Sequence, residues 1–382
     1  MQRLTRVHLA GFRSIRDTGE GLDLGPVNVL IGANGTGKSN LIAFFRMLNF
    51  LTSGSLAAWL EMNGAGAAQL YYGPKLSPQV TASLAYETDA GRNVYALRLL
   101  YGGDDRLLFA DERVEYHRPG AARPFEHQFG AGHRESALLS GGALTGNSAL
   151  ASTSRIFRSL LGRTRVFHFF DTSPEARVMR PWFIHDGDYL KYDGANLAPL
   201  LYRLRTASPG HYARIVEVIR QVVPFFGDFV LAPSGLNAEE IVLRWQEVGS
   251  DMVLSARQFS DGTLRFIMLA TLLLLPADEL PLVILIDEPE LGLHPAAIRA
   301  LANMVYGLPD GVQVIMTTQS PALLDCFDPG EVVVVTRPPE GAGARYETRF
   351  QRLDAAALRV WLEQYCLSEL WDQGVLGGRP TA

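Results

Sequence analysis

Apolar and polar residues alternate from Leu4 to Leu9, and Gly11-Phe12-Arg13-Ser14-Ile15 follows. The apolar run Val27-Asn28-Val29-Leu30-Ile31 then has the form of a strand buried on both faces. Two strands joined by a turn are therefore expected over residues 1–31. A glycine-rich loop comes next, and the spacing of Leu41, Ile42, Phe45 and Leu48 predicts a helix over 38–50. Between 80 and 116 the pattern turns to short alternating runs such as Tyr95-Ala96-Leu97-Arg98-Leu99, separated by turn signals such as Gly102-Gly103-Asp104-Asp105. An antiparallel side sheet is the expected result. Residues 119–147 hold two prolines and six glycines and read as a long, mobile loop. Helical periodicity resumes over 149–161, 196–204 and 211–223. A final α/β stretch begins near Phe229, with strands expected at 241–248, 282–286, 312–317, 332–336 and 346–353. No internal repeat and no sustained heptad pattern is present.

Composition narrows the class. At 382 residues, 47% hydrophobic and 20% charged, the chain reads as a folded protein with a large core, which excludes wholesale disorder. The uncharged run 266–277, between Arg265 and Asp278, is 12 residues long and too short to cross a bilayer, so no membrane span is expected. The N-terminus lacks the apolar stretch of a secretion signal. Cys326 and Cys366 form neither a CxxC pair nor a disulfide framework, which points to the cytoplasm. The net charge of −5 conceals a division: residues 1–226 carry 25 basic and 19 acidic side chains, residues 227–382 carry 10 and 21.

Three short segments carry chemistry. Gly32-Ala33-Asn34-Gly35-Thr36-Gly37-Lys38-Ser39 fits G-x-x-x-x-G-K-[ST], between a buried strand and a helix. In such a loop successive backbone N–H groups curl around phosphates and the helix N-terminus adds its positive end. Lys38 would reach the β- and γ-phosphates and the Ser39 hydroxyl would ligate Mg²⁺. Leu282-Val283-Ile284-Leu285-Ile286-Asp287-Glu288 places two acids at the C-terminal edge of a buried strand, where ligands bind in open α/β sheets. Asp287 would hold the Mg²⁺ shell, and Glu288 would orient or deprotonate the attacking water. Phe259-Ser260-Asp261-Gly262-Thr263-Leu264-Arg265 opens a helix that Ser260 can cap, and Gly262 permits close approach to a phosphate.

In this order and spacing the segments resemble those of the ABC-type ATPases of the SMC, RecF and OLD group, specifically the short bacterial AAA-family members without coiled-coil arms. Gly11-Phe12-Arg13-Ser14-Ile15 is similar to the group's opening strand, Gly32 to Asn40 to its P-loop and Ser260-Asp261-Gly262-Thr263 to its signature. Asp287-Glu288-Pro289-Glu290 is similar to its Walker B element, Leu291-Gly292-Leu293-His294-Pro295 to its D-loop and Thr317-Thr318-Gln319-Ser320-Pro321 to its switch segment. The resemblance implies an α/β fold, a P-loop NTPase head of ABC type with a mixed central sheet, an antiparallel side sheet and a helical lid insertion. It implies ATP and Mg²⁺ as ligands, held by Arg13, Gly32, Asn34, Gly35, Thr36, Gly37, Lys38, Ser39, Asn40 and Asp287, with Glu288, Lys38 and Gln319 catalytic. It also implies a homodimer in which Ser260, Asp261, Gly262, Thr263 and His294 of one subunit close over ATP held by the other. Gln319 stands where the group often has histidine; glutamine donates a hydrogen bond but cannot become cationic. Gln69 is the candidate Q-loop residue by its distance from Lys38.

The expected organisation is an ATPase N-terminal lobe at 1–118, a flexible loop and helical lid at 119–226, and a C-terminal lobe at 227–382 with the signature, Walker B, D-loop and switch. The insertion has no heptads and no CxxC, so long arms and a zinc hook are not expected. About 50 residues follow Val335, too few for the Toprim domain of OLD nucleases, so any nuclease or effector would be a separate chain. Arg155, Arg158, Arg163 and Arg165, beside Phe167, Phe169 and Phe170, are a candidate DNA-contacting patch. Their alternative is a solvated helix face with core aromatics. His127 and His133, with Glu126 and Glu135, sit in a glycine-rich loop that offers a metal no ordered scaffold. Lys191 and Tyr192-Asp193-Gly194-Ala195-Asn196-Leu197 also resemble a recurring element of the group. It reads as a turn with Gly194 left-handed and Asn196 or Asp193 capping the next helix.

Overall fold

Val27–Ile31 lies inside a six-stranded central sheet, with strand order Arg349–Arg352, Val332–Thr336, Val27–Ile31, Gln313–Thr318, Val283–Asp287, Thr164–Phe167. All neighbours are parallel except Arg349–Arg352, which runs antiparallel on Val332–Thr336. The computed structural model describes residues 2–121, 123–139, 148–233, 235, 237–340 and 345–377. Because side chains alternate across a strand, the sheet feeds two cores. Val29, Ile31, Ile284, Ile286, Val314 and Met316 face one, with the helices Leu197–Ala207, Pro209–Val222, Asp261–Leu273 and Pro295–Tyr306. Leu30, Val283, Leu285, Ile315 and Val333 face the other, with the helix Lys38–Thr52 and the side sheet. Each such side chain contributes about 1.5–3 kcal/mol by leaving water, which explains why these strands are apolar throughout rather than alternating.

The side sheet is antiparallel and seven-stranded, with Gln2–Phe12, Gln79–Thr88, Gly91–Gly102 and Arg106–His117 as its long members. The 119–226 segment contributes to both sheets. Phe125–Gln128 extends the side sheet, and Thr164–Phe167 is the edge of the central one, parallel to Val283–Asp287. This head strand lies within the stretch expected to be lid, and its small size and flanking arginines hid it. Of the expected loop at 119–147, residues 122 and 140–147 lie outside the described residues.

Two expected strands are divided. The 241–248 run splits into Glu240–Ile241, paired with Trp182–Phe183, and Arg244–Glu247, in a separate three-stranded sheet. The 346–353 run splits into Arg345–Tyr346 and Arg349–Arg352, because Thr348 between them is drawn under the P-loop. Gly194 is left-handed as expected, at φ +71. Asn196 occupies the N-cap position but makes no cap: its amide donates to the Asp186 and Tyr189 carbonyls and accepts from Lys191 N. Among the described residues no helix is long and apolar enough to cross a membrane.

Candidate functional site

The P-loop follows from its glycines. A Cβ on Gly32 would stand 2.4 Å from the Val335 carbonyl oxygen, and one on Gly37, at φ +104, would stand 2.1 Å from Thr348 Oγ1. Only hydrogen fits at either place. Beneath the loop a chain of hydroxyls ties three distant segments together. Asn40 Nδ2 donates to Ser14 Oγ at 2.6 Å, Ser14 Oγ lies 2.7 Å from Thr348 Oγ1, and Thr348 Oγ1 donates to the Thr36 carbonyl at 2.7 Å. Asn40 is therefore engaged in holding the loop. Lys38 is buried and donates to the carbonyls of Gly32 at 2.5 Å and Ala33 at 3.1 Å. Burial pushes its ammonium below the usual lysine range, opposed by the charges of Glu288, Asp287 and Glu290. Asn34, Gly35 and Ser39 remain exposed on the loop's outer side.

The acids stand two strands away in the same sheet, separated from the P-loop strand by Gln313–Thr318. Parallel pairing brings the C-terminal ends of all three strands to one edge. Thr317 Oγ1 donates to Asp287. Glu288 has a left-handed backbone at φ +43, a conformation that costs a non-glycine residue about 1–3 kcal/mol and clusters at functional sites. Its amide is held by the Thr317 carbonyl at 3.0 Å, and its Oε1 accepts a hydrogen bond from Gln319 Nε2. Glu290 accepts from Thr318 Oγ1 at 2.5 Å and Gln319 N at 3.3 Å through one oxygen, while its other oxygen is buried without a partner. Burial raises the Glu290 carboxyl above the usual range, and the Glu288 charge adds to that.

Ser260 caps the Asp261–Leu273 helix through the Thr263 amide at 3.2 Å. Asp261 accepts from Thr172 Oγ1 at 2.9 Å. A Cβ on Gly262 would fall 2.1 Å from the Gly292 carbonyl oxygen, so signature and D-loop backbones touch. Arg265, buried, fastens that contact by donating to the carbonyls of Leu291, Phe169 and Phe170. His294 is exposed and caps the Pro295–Tyr306 helix through its Nδ1.

Ser39 and Asp287 meet in a cavity of about 490 Å³ that Arg13 also lines. No residue from 260–263 and no His294 lines it. Arg13, at φ +50, rests over the Trp59 ring at 5.6 Å and donates through Nε to Gln69 Oε1 at 2.9 Å. Gln69 is fully buried and its amide is spent on the Asn63 and Ala65 carbonyls. Its visible role is to position Arg13. The donor set fits magnesium and a nucleoside triphosphate: a glycine cradle, a buried lysine on its rim, and a hydroxyl and a carboxylate sharing one opening.

The arginine cluster separates. Arg155, Arg158 and Arg165 line one groove with Asn49 and Ser53. Arg163 turns to the Leu280 carbonyl at 3.3 Å, in a pocket that Arg165, Asp278 and Glu279 also line. Phe167 and Phe169 are buried core residues. Glu135 binds the amides of Leu56 and Ala57, and His133 lies 3.3 Å from the buried Glu112, so these two do not converge on one point. Three residues at the site belong to no motif: Thr348, Arg46 and His168. Arg46 lies two helical turns beyond Ser39 on the same face, a signal the 3.6-residue period carries. His168 directly follows the Thr164–Phe167 strand, at the sheet edge that ends in Asp287.

Comparison with known proteins bears on the fold. A family model described as "AAA domain, putative AbiEii toxin, Type IV TA system" matches residues 156–325. An SMC head bound to the C-winged helix domain of ScpA is 15% identical, with a TM-score of 0.58 over 93% of this chain and 99% of that one. An SMC head with an extended coiled coil, bound to the C-terminal domain of ScpA and derived from Pyrococcus furiosus, gives 0.56 at 15% identity, covering 95% and 99%. One with a coiled coil and joint from Pyrococcus yayanosii gives 0.55 at 13% identity, covering 95% and 99%. No curated protein matches the chain. The fold is that of an ABC-type, SMC-like P-loop ATPase head, with mixed α/β architecture.

Proposed function

We propose that the protein binds and hydrolyses ATP with Mg²⁺, and that ATP closes two copies of the chain head to tail into a sandwich that gates nucleic acid or a partner effector. The observation that carries this reading is the convergence of Lys38, Ser39, Asp287 and Glu288 at one sheet edge, with Gln319 bonded to Glu288. On ATP binding, Lys38 exchanges the Gly32 and Ala33 carbonyls for phosphate oxygens and the loop amides hold the rest. Ser39 and Asp287 would hold Mg²⁺, which would supply neutralisation of phosphate charge. Glu288 accepts the proton of the attacking water, and Gln319 aims that carboxylate. That Ser260–Thr263 do not line this opening supports the reading in which they serve a second subunit's ATP. ATP then binds the closed pair better than the open monomer and shifts the equilibrium.

Settings suggested by the resemblance are bacterial DNA repair and anti-phage defence. DNA contact falls to Arg155, Arg158 and Arg165. A second reading, a nucleotide switch acting on a protein partner, draws support from the SMC heads that carry a bound ScpA domain. Light scattering of the Glu288→Gln protein with ATP tests the central claim. A doubled molar mass that Lys38→Ala abolishes is expected. Hydrolysis by Glu288→Gln at the parent's rate removes Glu288 from its role.

A further inference from the structure

The cavity that opens at Ser39 and Asp287 continues past the P-loop. It runs along one face of the Lys38–Thr52 helix, by Ile42, Arg46 and Asn49, and its far wall comes from the insertion, at 165–168 and 189–192. Its volume of about 490 Å³ is of the size that holds small ligands, roughly 300–1,000 Å³. None of residues 32–38 lines it, so the phosphate cradle and this cavity are neighbouring compartments that meet at Ser39.

Its charge is lopsided. Arg13, Arg46, Arg165, Arg177 and Lys191 line it against one carboxylate, Asp287. Arg177 is paired with Asp193 at 2.7 Å and Lys191 with Asp186 at 3.0 Å. Among the described residues, no carboxylate lies within ion-pair distance of Arg13, Arg46 or Arg165. Carbonyls, an amide and rings position them instead: Arg13 Nε donates to Gln69, Arg46 sits 5.1 Å from the Tyr192 centroid, and Arg165 donates through Nε to the Gly162 carbonyl at 2.8 Å and sits 5.3 Å from the Tyr189 centroid. Like charges gathered in a cleft repel unless an anion joins them, and a cleft concentrates their field. Guanidinium groups favour phosphate oxygens, and the exposed Tyr189 and Tyr192 line the same opening. Asn49 and Arg165 also line the groove of Arg155 and Arg158, so one basic path joins the surface to the cavity.

We infer that this cavity binds a second nucleotide phosphate beside the ATP site, with Arg46 and Arg165 as its principal anchors. The nucleotide is either free or the end of a strand whose backbone lies along Arg155 and Arg158. The inference rests on the proposed ATP site only in placing the first nucleotide on the P-loop. It is tested by equilibrium binding to the full chain carrying Lys38→Ala, which disables that first site. Two probes serve: a fluorescent ribose-labelled AMP, and a 5′-phosphorylated hexathymidylate labelled at its 3′ end. At least one is expected to bind Lys38→Ala as tightly as the parent. Adding Arg46→Ala with Arg165→Ala is expected to weaken it at least about tenfold, the scale for losing charge-assisted hydrogen bonds. Arg46→Gln with Arg165→Gln, which preserves length and packing, must show the same loss, and the double lysine variant must retain binding within about threefold. Binding of AMP alone identifies a free nucleotide; binding of the oligonucleotide that disappears without its 5′-phosphate identifies a strand end. If neither probe binds, or if the glutamine pair binds both like the parent, the inference is overturned. MgATP binding is measured alongside: unchanged affinity in Lys38→Ala would refute the P-loop reading, while the response of Arg46 and Arg165 would still decide the cavity.

Discussion

Glu112 in the side sheet and Glu290 behind the Asp287–Glu288 strand end are both carboxylates withdrawn from water, and they are treated in opposite ways. Glu112 accepts from Tyr95 OH at 2.7 Å, from the Ala137 amide at 2.8 Å and from Ser136 Oγ, with His133 at 3.3 Å. Both of its oxygens are used, and they fasten 133–137 to the strand Arg106–His117. Glu290 has one oxygen engaged and one without a partner. Its neighbour Glu288 holds a strained backbone, and Lys38 nearby is a buried cation whose hydrogen-bond partners among the described residues are carbonyl oxygens. A buried polar group that is fully satisfied rigidifies a fold. One left incomplete is tolerated where something else is to be bound.

If that contrast is right, damage on the two sides separates into activity and stability. The largest effect is expected at the site. Glu288→Gln should lower ATP turnover by about 10²–10⁴-fold, the usual worth of a general base, with an unchanged melting temperature; a large drop in both would erase the contrast. Glu112→Ala comes next. It strands the Tyr95 hydroxyl and the Ala137 amide, and chemical denaturation should show a loss of about 3 kcal/mol. Turnover per folded molecule should persist. Thr348→Val sits between the two classes: removing the link to Thr36 should cost about 1–2 kcal/mol and weaken ATP binding as well, which calorimetry and nucleotide titration would read together.

The smallest effect tests Glu290 itself. Burial raises its carboxyl, so the folded protein holds that proton to a higher pH than the unfolded chain does. Folding is therefore opposed once the pH passes the ordinary carboxylate value, and the cost is fully present above the raised one. Glu290→Gln should stabilise the nucleotide-free protein by about 1 kcal/mol near neutrality, the low end of the penalty for a buried polar atom without a partner. That gain should vanish at low pH. A gain that persists in acid would point to some other cause.

Much of this was legible in the sequence because the relevant physics is local. Gly32 to Ser39 is contiguous, and its glycines, lysine and serine are each demanded by a backbone cradle. The strand ending at Asp287 and the Ser260 cap are likewise local signals, and their order supplied the rest. What could not be read depends on contacts across the chain. Thr348 bonds Ser14 and Thr36 from more than 300 positions away and breaks the strand expected at 346–353. Arg163 and Arg155 look alike in a charge count, yet only the fold sends one to the Leu280 carbonyl and the other to an open groove. The candidate Q-loop residue, Gln69, was placed by distance alone, and distance does not reveal that its amide is already occupied.

The link through Thr348 also bears on how the protein is made. Ser14, Thr36 and Asn40 leave the ribosome early, whereas the residue that locks them follows more than 300 positions later. Synthesis proceeds from the N-terminus at about 5–20 residues per second, so the loop waits many seconds for its keystone. A nascent or truncated polypeptide lacking residue 348 would carry every residue of the phosphate-binding motif and still hold nucleotide poorly. On the proposed ATP reading, nucleotide capture would mark a chain whose synthesis has passed this threonine.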